Sequence, residues 1–356
     1  MPTVDVAALS TQVLWASFGL STVFGFATQR SHFCTMGAVS DIVNMQDWTR
    51  MHMWAMAVAA AMLGFAGLTS AGLLNPEKTL YVSSKVLWLS FAVGGLMFGF
   101  GMVLASGCGN KTLLRISSGS LKSFVVFVVM AVAAFATLKG ITAVVRVNTV
   151  DLLNVPAVTP SVSLRLVISS FLALCLVIWA LRNPAMRSTS AWLPSLVIGS
   201  VIVLMWWVSG KFGYLPEHPE TLQEAFLATN SGRAESLSFV APMAYTLDWL
   251  MFFSDKSKVL TMGIVSVFGV LVGGFIEAQL SKTFRWEGFG SVEDVANHLI
   301  GAVLMGVGGV TAMGCTVGQG LSGLSTLALG SFIATAGILA GAVLSLKYQI
   351  WRLDSL

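Results

Sequence analysis

Apolar runs of about 20 residues alternate with short polar breaks along nearly the whole chain. The pattern predicts nine membrane-crossing helices, near residues 11–29, 52–73, 86–105, 121–145, 164–181, 191–209, 259–281, 294–313 and 326–346. Three stretches, 30–46, 106–120 and 314–325, do not continue it. Each follows directly on a span, is rich in Gly, Ser, Thr and Cys, and is long enough for a bent loop plus a half-helix. Irregular backbone at membrane depth is tolerated only where it is buried in protein or lines a cavity. These three segments are therefore expected to line a path. The longest polar stretch, Gly210 to Lys258, holds Glu217, Glu220, Glu224, Glu235, Asp248 and Asp255. Within it, "SLSFVAPMAYTLDWLMFF" is apolar enough to lie on the membrane surface or dip into it.

The expected fold class is an all-α polytopic membrane protein with about nine transmembrane helices plus short re-entrant half-helices. It reads as one transport domain over residues 1–356. A first half to about 150 holds Cys34 and Cys108, connector spans follow at about 160–210, then the polar loop to about 258, and a second half from 259 holds Cys315.

Basic residues set the expected direction. Arg182 and Arg187, Lys282 and Arg285, and Lys347 and Arg352 sit in or beside short loops that favour the cytoplasm. That places the N-terminus and the acidic loop outside and the C-terminus inside, with Arg146 and Arg165 dissenting. Asp5 is the sole charge before Arg30, so the first segment lacks the basic region of a signal peptide and reads as a retained span.

An internal repeat sharpens the picture. "GGLMFGFGMVLASGCGNKT" (Gly94 to Thr112) overlays "GAVLMGVGGVTAMGCTVGQ" (Gly301 to Gln319) at a constant offset of 207, from Cys108 to Cys315. Gly94, Gly99, Gly101, Gly107 and Cys108 fall on Gly301, Gly306, Gly308, Gly314 and Cys315 without a gap. The predicted topology runs the two copies in opposite directions. Inverted repeats are typical of transporters whose site is built from broken helices near the bilayer midplane. Gly-x-Gly patterns alone would also serve close helix packing. A fainter likeness joins "FGLSTVFGFATQ" (Phe18–Gln29) to "FGVLVGGFIEAQ" (Phe268–Gln279). It runs in one direction and has no cysteine opposite Cys34.

Composition narrows the classes. Hydrophobic residues are 56% and charged residues 10% of the 356, with mean hydropathy +0.82, against about 25% charged in a soluble domain. A net charge of +4 and the lack of a basic, aromatic-interleaved run argue against nucleic acid. No phosphate-loop pattern encodes ATP hydrolysis. The four cysteines are too scattered for a disulfide scaffold or structural zinc site, and neither a metal nor another cofactor is called for. "MHMWAM" (Met51–Met56) admits a soft-metal site, but in a chain with 17 Met it reads more readily as packing.

Cys34, Cys108 and Cys315 all fall in the breaks, whereas Cys175 lies inside an apolar helix and reads as a small inert hydrophobe. A neutral thiol offers a weak S–H donor to a soft anion. A row of such donors can pass an anion along, because conduction needs binding weak enough to release. Half-helix N-termini, each carrying about +0.5 charge, offset part of the desolvation cost. Lys111, Arg115 and Lys122 after Cys108, with Arg30 and His32 before Cys34, are candidates to draw an anion in, although span-end cations also snorkel. Gly107, Gly109, Asn110, Gly314, Thr316 and Gln319 complete the candidate path. Glu277, Gln279, Asn297 and His298 are further polar groups near span ends.

"GFATQRSHFCTMGAVSD", "GGLMFGFGMVLASGCGNKTLLRISSGSLKS" and "GVGGVTAMGCTVGQGLSGLS" resemble the signature segments of the YeeE/YedE sulfur-transport family. The resemblance runs from about residue 15 to 345. It implies an hourglass-like helical fold with pseudo-symmetric halves, located in the bacterial inner membrane. It also implies uptake of thiosulfate or a related sulfur or selenium anion along three cysteines, which match Cys34, Cys108 and Cys315. A cytoplasmic sulfur carrier of the TusA type is the partner it suggests. Two other readings stay open at this point: a membrane thiol oxidoreductase using Cys34 and Cys108, and a soft-ion channel.

Overall fold

The computed structural model describes residues 5–157 and 161–354. Helices make up most of it: α1 Val6–Arg30, α2 Thr35–Met45, α3 Thr49–Ser70, α4 Trp88–Leu104, α5 Gly109–Ser117, α6 Leu121–Lys139, α7 Ile141–Asn148, α8 Val162–Leu181, α9 Thr189–Trp207, α10 Val240–Met251, α11 Met262–Leu280, α12 Val292–Thr311 and α13 Leu329–Asp354. Among the described residues, nine helical segments are long and apolar enough to cross a membrane: α1 with α2, α3, α4 with α5, α6, α8, α9 with the turn to Phe212, α11, α12 and α13. The chain is a multi-pass membrane protein. Two short antiparallel strand pairs, Lys85–Val86 with Val155–Pro156 and Tyr214–Leu215 with Ala225–Phe226, pin loops together.

The sequence-predicted spans recur with two differences. The run expected over 121–145 breaks at Gly140, whose extended φ −106°, ψ −154° ends α6 and starts α7. The last helix runs on to Asp354, well past the expected end.

Helices α4 and α12 pack antiparallel, and glycines let their backbones touch. A Cβ on Gly101 would lie 2.6 Å from Gly301 O, and one on Gly301 would lie 2.6 Å from Gly101 O. At the other end, a Cβ on Gly94 would lie 2.8 Å from Gly308 O, and one on Gly308 would lie 2.7 Å from Gly94 O. Gly94 is the repeat mate of Gly301, and Gly101 of Gly308, so the contact is reciprocal. This is the arrangement a pseudo-two-fold axis across the pair requires.

The symmetry reaches further than the sequence match. Gly306 of α12 approaches α6 at Met130 O, and Gly99 of α4 approaches α13 at Ile338 O, with Cβ distances of 2.6 and 2.0 Å. Helix α6 follows the Cys108 break and α13 follows the Cys315 break. Each half therefore lays its broken helix against the helix that follows the break of the other half.

A second pair, α1 and α11, packs parallel. Ser21 and Phe18 meet Gly269, Thr22 and Phe26 meet Gly273, and Arg30 reaches Glu277. The fainter sequence likeness thus corresponds to two helices lying side by side in the same direction. The remaining spans close the bundle: α3 packs on α8 and α9.

Helix α10 packs against α6 and α11 and buries Val240, Pro242, Met243 and Ala244, so the apolar part of the 210–258 stretch joins the bundle. The loop before it lies across the face where α12 ends. There Leu80 N donates to Ala234 O, and Ser322 Oγ donates to Leu237 O.

Candidate functional site

Six helices end in one and the same turn: after α3 and α5 a glycine, Gly72 or Gly119, takes its left-handed position, and after the other four a residue with a side chain does. The residue past the end takes a left-handed conformation at His32 (φ 52°), Ser106 (φ 57°), Lys282 (φ 54°) and Met313 (φ 54°). Its N–H bonds three residues back, and the next N–H bonds five residues back: Phe33 to Thr28 O, Gly107 to Met102 O, Thr283 to Ala278 O, Gly314 to Gly309 O. Glycine usually fills this position because a Cβ costs about 1–2 kcal/mol there. None of the four is glycine, so surrounding packing holds the turn.

Two residues beyond the left-handed position stands Cys34, Cys108, Phe284 or Cys315, respectively. Where it is cysteine, a new helical segment starts. Cys34 is the N-cap of α2, and its Sγ accepts from Gly37 N at 3.5 Å. Cys108 is the N-cap of α5. Cys315 Sγ accepts from Gly318 N at 3.4 Å, at the head of the π-helical turn Gly318–Gly323. Each thiol thus sits at the positive end of a half-helix. Cys34 is half-buried, while Cys108 and Cys315 are 2% and 0% exposed.

The three breaks converge. The Cys34 and Cys108 thiols stand side by side within reach of an S–H···S contact, and the Thr316 hydroxyl lies beside Cys108. Since α4 and α12 are antiparallel, Cys108 and Cys315 arrive from opposite ends of the pair and turn back toward its middle.

Asn110 Oδ1, Gln319 Oε1 and Trp54 Nε1 are buried without a hydrogen-bond partner among the described residues; Asn110 lies in α5 just after Cys108, Trp54 packs on Gly320 of the π-helical turn, and the Tyr81 hydroxyl lies beside Gly318 and Ser238. Buried polar groups are nearly always paired, so these free ones mark places where a polar guest or water completes them. Gln319 Nε2 donates to Ala312 O, which ties the π-helical turn back to α12.

Cations concentrate on the Cys34 side. Lys111 lies near Cys34, Cys108, Arg115 and Arg50, and His32 lies near Lys111 and Arg50. No carboxylate among the described residues pairs with Lys111, whereas Arg50 reaches Asp41 at 3.3 Å. Gly107 and Gly109 flank Cys108, and the Lys111 stem packs where a Gly107 side chain would be, 3.2 Å from its Cβ position. Gly314 plays the same part for Gln319, at 3.1 Å.

Other candidates are engaged elsewhere. Arg30 pairs with Glu277 at 3.1 Å and Lys122 with Glu287 at 2.7 Å, so neither is a free lure. Gln29 donates to Ser118. His298 bonds Asp294 at 2.9 Å, and no contact among the described residues places Gln279 or Asn297 at the convergence. His52 of "MHMWAM" is held by Asn183 and lies over Trp179. Cys175 is exposed on α8 instead of buried.

Beside Gly314 opens a cavity of about 410 Å³, lined in part by Arg146, Asp151, Ser231, Glu235, Ser238 and Tyr245. Arg146 pairs with Asp151 at 3.2 Å. Burial holds the Glu235 carboxyl above the usual carboxylate range, although Ser231 N donates to it at 2.7 Å.

Sequence reasoning did not find Trp54, Tyr81 or Arg50. Trp54 and Tyr81 sit in apolar contexts, and Arg50 stands in the first turn of α3, where a lone cation gives no signal.

The family model described as Sulphur transport matches residues 30–344. The thiosulfate transporter TsuA of Escherichia coli (strain K12) is 27% identical over 326 residues, covering 84% of this chain and 84% of that protein. The thiosulfate transporter TsuA of Spirochaeta thermophila is 25% identical over 347 residues, covering 92% of this chain and 97% of that protein.

Proposed function

This chain belongs to the Sulphur transport family, a transporter and not an enzyme, and from that premise we propose that it takes up thiosulfate or a close sulfur-containing anion by passing it along Cys315, Cys108 and Cys34. The observation that carries the reading is the convergence of three thiols, each at the start of a half-helix, beside buried polar atoms with no partners. The relatives' names supply the anion.

The physics favours thiols over fixed cations as stepping stones. At an effective dielectric of about 20, a dianion 4 Å from an ammonium gains roughly 8 kcal/mol. That equals an affinity near micromolar, and repeating it at each station would trap the ion. A neutral thiol binds weakly and releases. Three half-helix termini together supply roughly +1.5 charge, and Lys111 supplies one more, which balances a dianion without any single deep well. The terminal sulfur of thiosulfate is soft and polarizable, a suitable acceptor for S–H. The hydroxyl of Thr316 and the indole N–H of Trp54 are stronger donors for its oxygens.

In this reading the protein sits in a bacterial inner membrane with its N-terminus outside and its C-terminus in the cytoplasm. The cavity beside Gly314 is then the outer mouth, and the Arg50–Lys111–Arg115 cluster faces inward, where a TusA-type sulfur carrier would receive the product. The test is uptake of radiolabelled thiosulfate into proteoliposomes, competed by sulfate, sulfite and selenite. Saturable uptake that sulfate does not suppress is expected. Uptake of sulfate at the same rate would defeat the soft-sulfur selectivity.

A further inference from the structure

Two of the three thiols are also placed to react with each other. Cys34 is half-buried and Cys108 is buried, and the two stand side by side. Each stands at the start of a half-helix, and Gly37 N donates to Cys34 Sγ at 3.5 Å. Lys111 lies near both thiols. Arg50 reaches the half-helix behind Cys34, where its Nη1 lies 2.6 Å from the position of a Cβ on Gly37. A helix N-terminus and neighbouring cations are the surroundings of a reactive thiol. Cys315 differs, because it is sealed from solvent beside Gly318 N.

We propose that Cys34 and Cys108 form a redox modification site for polythionates, of which tetrathionate is two thiosulfates joined through sulfur, and that the resulting disulfide closes the path. The proposal rests on the transport reading for the route in and for the consequence. Lys111 and Arg50 raise the local concentration of a dianion. Cys34, the more exposed thiol, reacts through its thiolate fraction. Its Sγ attacks an inner sulfur of tetrathionate, the central S–S bond breaks, and one thiosulfate leaves with the electron pair. Cys34 then carries the other thiosulfate through a new S–S bond. The Cys108 thiol gives up its proton to water and attacks Cys34 Sγ, which expels the second thiosulfate. Two thiols are oxidised to one disulfide, tetrathionate is reduced to two thiosulfates, and two protons are released. A thiol reductant reverses the modification by exchange.

The substrate itself is spared. The outer sulfur of thiosulfate carries negative charge and repels a thiolate. The inner sulfurs of tetrathionate are uncharged, and thiosulfate is a good leaving group. The disulfide removes two S–H donors from the relay at once, so the oxidised dimer of the substrate stops the uptake of the substrate.

The test uses the full-length protein carrying Cys175→Ser in a neutral detergent, treated with tetrathionate or with uncharged hydroxyethyl disulfide. Free thiols, mapped peptides and released thiosulfate are read, none of which needs transport. Tetrathionate should consume two thiols, yield a Cys34–Cys108 linked peptide and release two thiosulfates per linked chain, and dithiothreitol should restore both thiols. Cys108→Ser should stop at an adduct on Cys34 after one thiosulfate. Lys111→Gln should cut the rate preference for tetrathionate over the uncharged reagent by about tenfold. Should Cys108→Ser fail to fold, the linked peptide and the Lys111→Gln preference decide. A lasting adduct on Cys34 with no linked peptide, linkage through Cys315, no preference for tetrathionate, or uptake that persists in fully linked protein overturns the proposal. Linkage in a protein whose reduced form takes up no thiosulfate leaves the thiol chemistry standing and defeats the transport reading instead.

Discussion

Helix pair α4–α12 and helix pair α1–α11 use the same turn to end four helices, yet they serve different ends. The first pair is antiparallel, joined by reciprocal glycine contacts, and both of its members lead through cysteine into a half-helix. The second pair is parallel, so both of its breaks lie at one end. There α1 continues through Cys34 into α2, while α11 meets Phe284 and an extended segment. Backbone geometry is common to all four breaks. What separates the three convergent ones is a thiol at the second position and a helix N-terminus behind it. An antiparallel pair can bring two such ends together from opposite sides, and a parallel pair can add just one more on the same side.

The comparison can be broken most strongly by joining its two pairs covalently. Oxidising the neighbouring Cys34 and Cys108 with an added thiol oxidant should cross-link α2 to α5 and abolish uptake, and reduction should restore it. Failure of the cross-link to form, seen by peptide mapping, would deny the juxtaposition.

Next in size is Gly101→Val, which sets a branched side chain against Gly301 O where even a Cβ would be 2.6 Å away. Overpacking of this kind costs on the order of 3 kcal/mol, and thermal unfolding in detergent should show it. The same substitution at Gly67, where a Cβ would meet nothing within 4 Å, should cost far less.

Lys111→Gln removes the unpaired cation beside the two thiols and should raise the KM for uptake by about tenfold while leaving stability nearly unchanged. An unchanged KM would mean that the cluster does not attract substrate.

The smallest effect is expected at the opposite mouth. Glu235, raised by burial, shares its cavity with the Arg146–Asp151 pair and Tyr245. As pH falls through its raised pKa the carboxylate is neutralised and repels an anion less, so wild-type uptake should rise by about twofold toward acid. Glu235→Gln should flatten that rise. It should also remove a stability loss: a carboxyl raised in the folded state costs stability as pH climbs past its unfolded pKa.

Spans, breaks and the α4–α12 likeness were legible because a bilayer imposes length and apolarity, and because a repeated Gly-Cys leaves a visible pattern. The shared turn was not legible, since His32, Ser106, Lys282 and Met313 are residues that seldom adopt a left-handed conformation. The pairing of Arg30 with Glu277 and of Lys122 with Glu287 is set by contacts 247 and 165 residues apart in the chain, beyond any local signal. Arg165 looked like a topological dissenter because burial cannot be read from charge. Trp54 was invisible because an indole N–H declares itself only when nothing accepts its proton.

The central claim is that the anion passes the three thiols at the half-helix starts, and radiolabelled thiosulfate uptake by single serine variants in proteoliposomes tests it most directly. Cys34→Ser, Cys108→Ser and Cys315→Ser should each lower uptake by about a hundredfold, roughly 2.7 kcal/mol, while Cys175→Ser and Phe284→Ser leave it intact. Wild-type uptake by Cys108→Ser or Cys315→Ser would contradict the account.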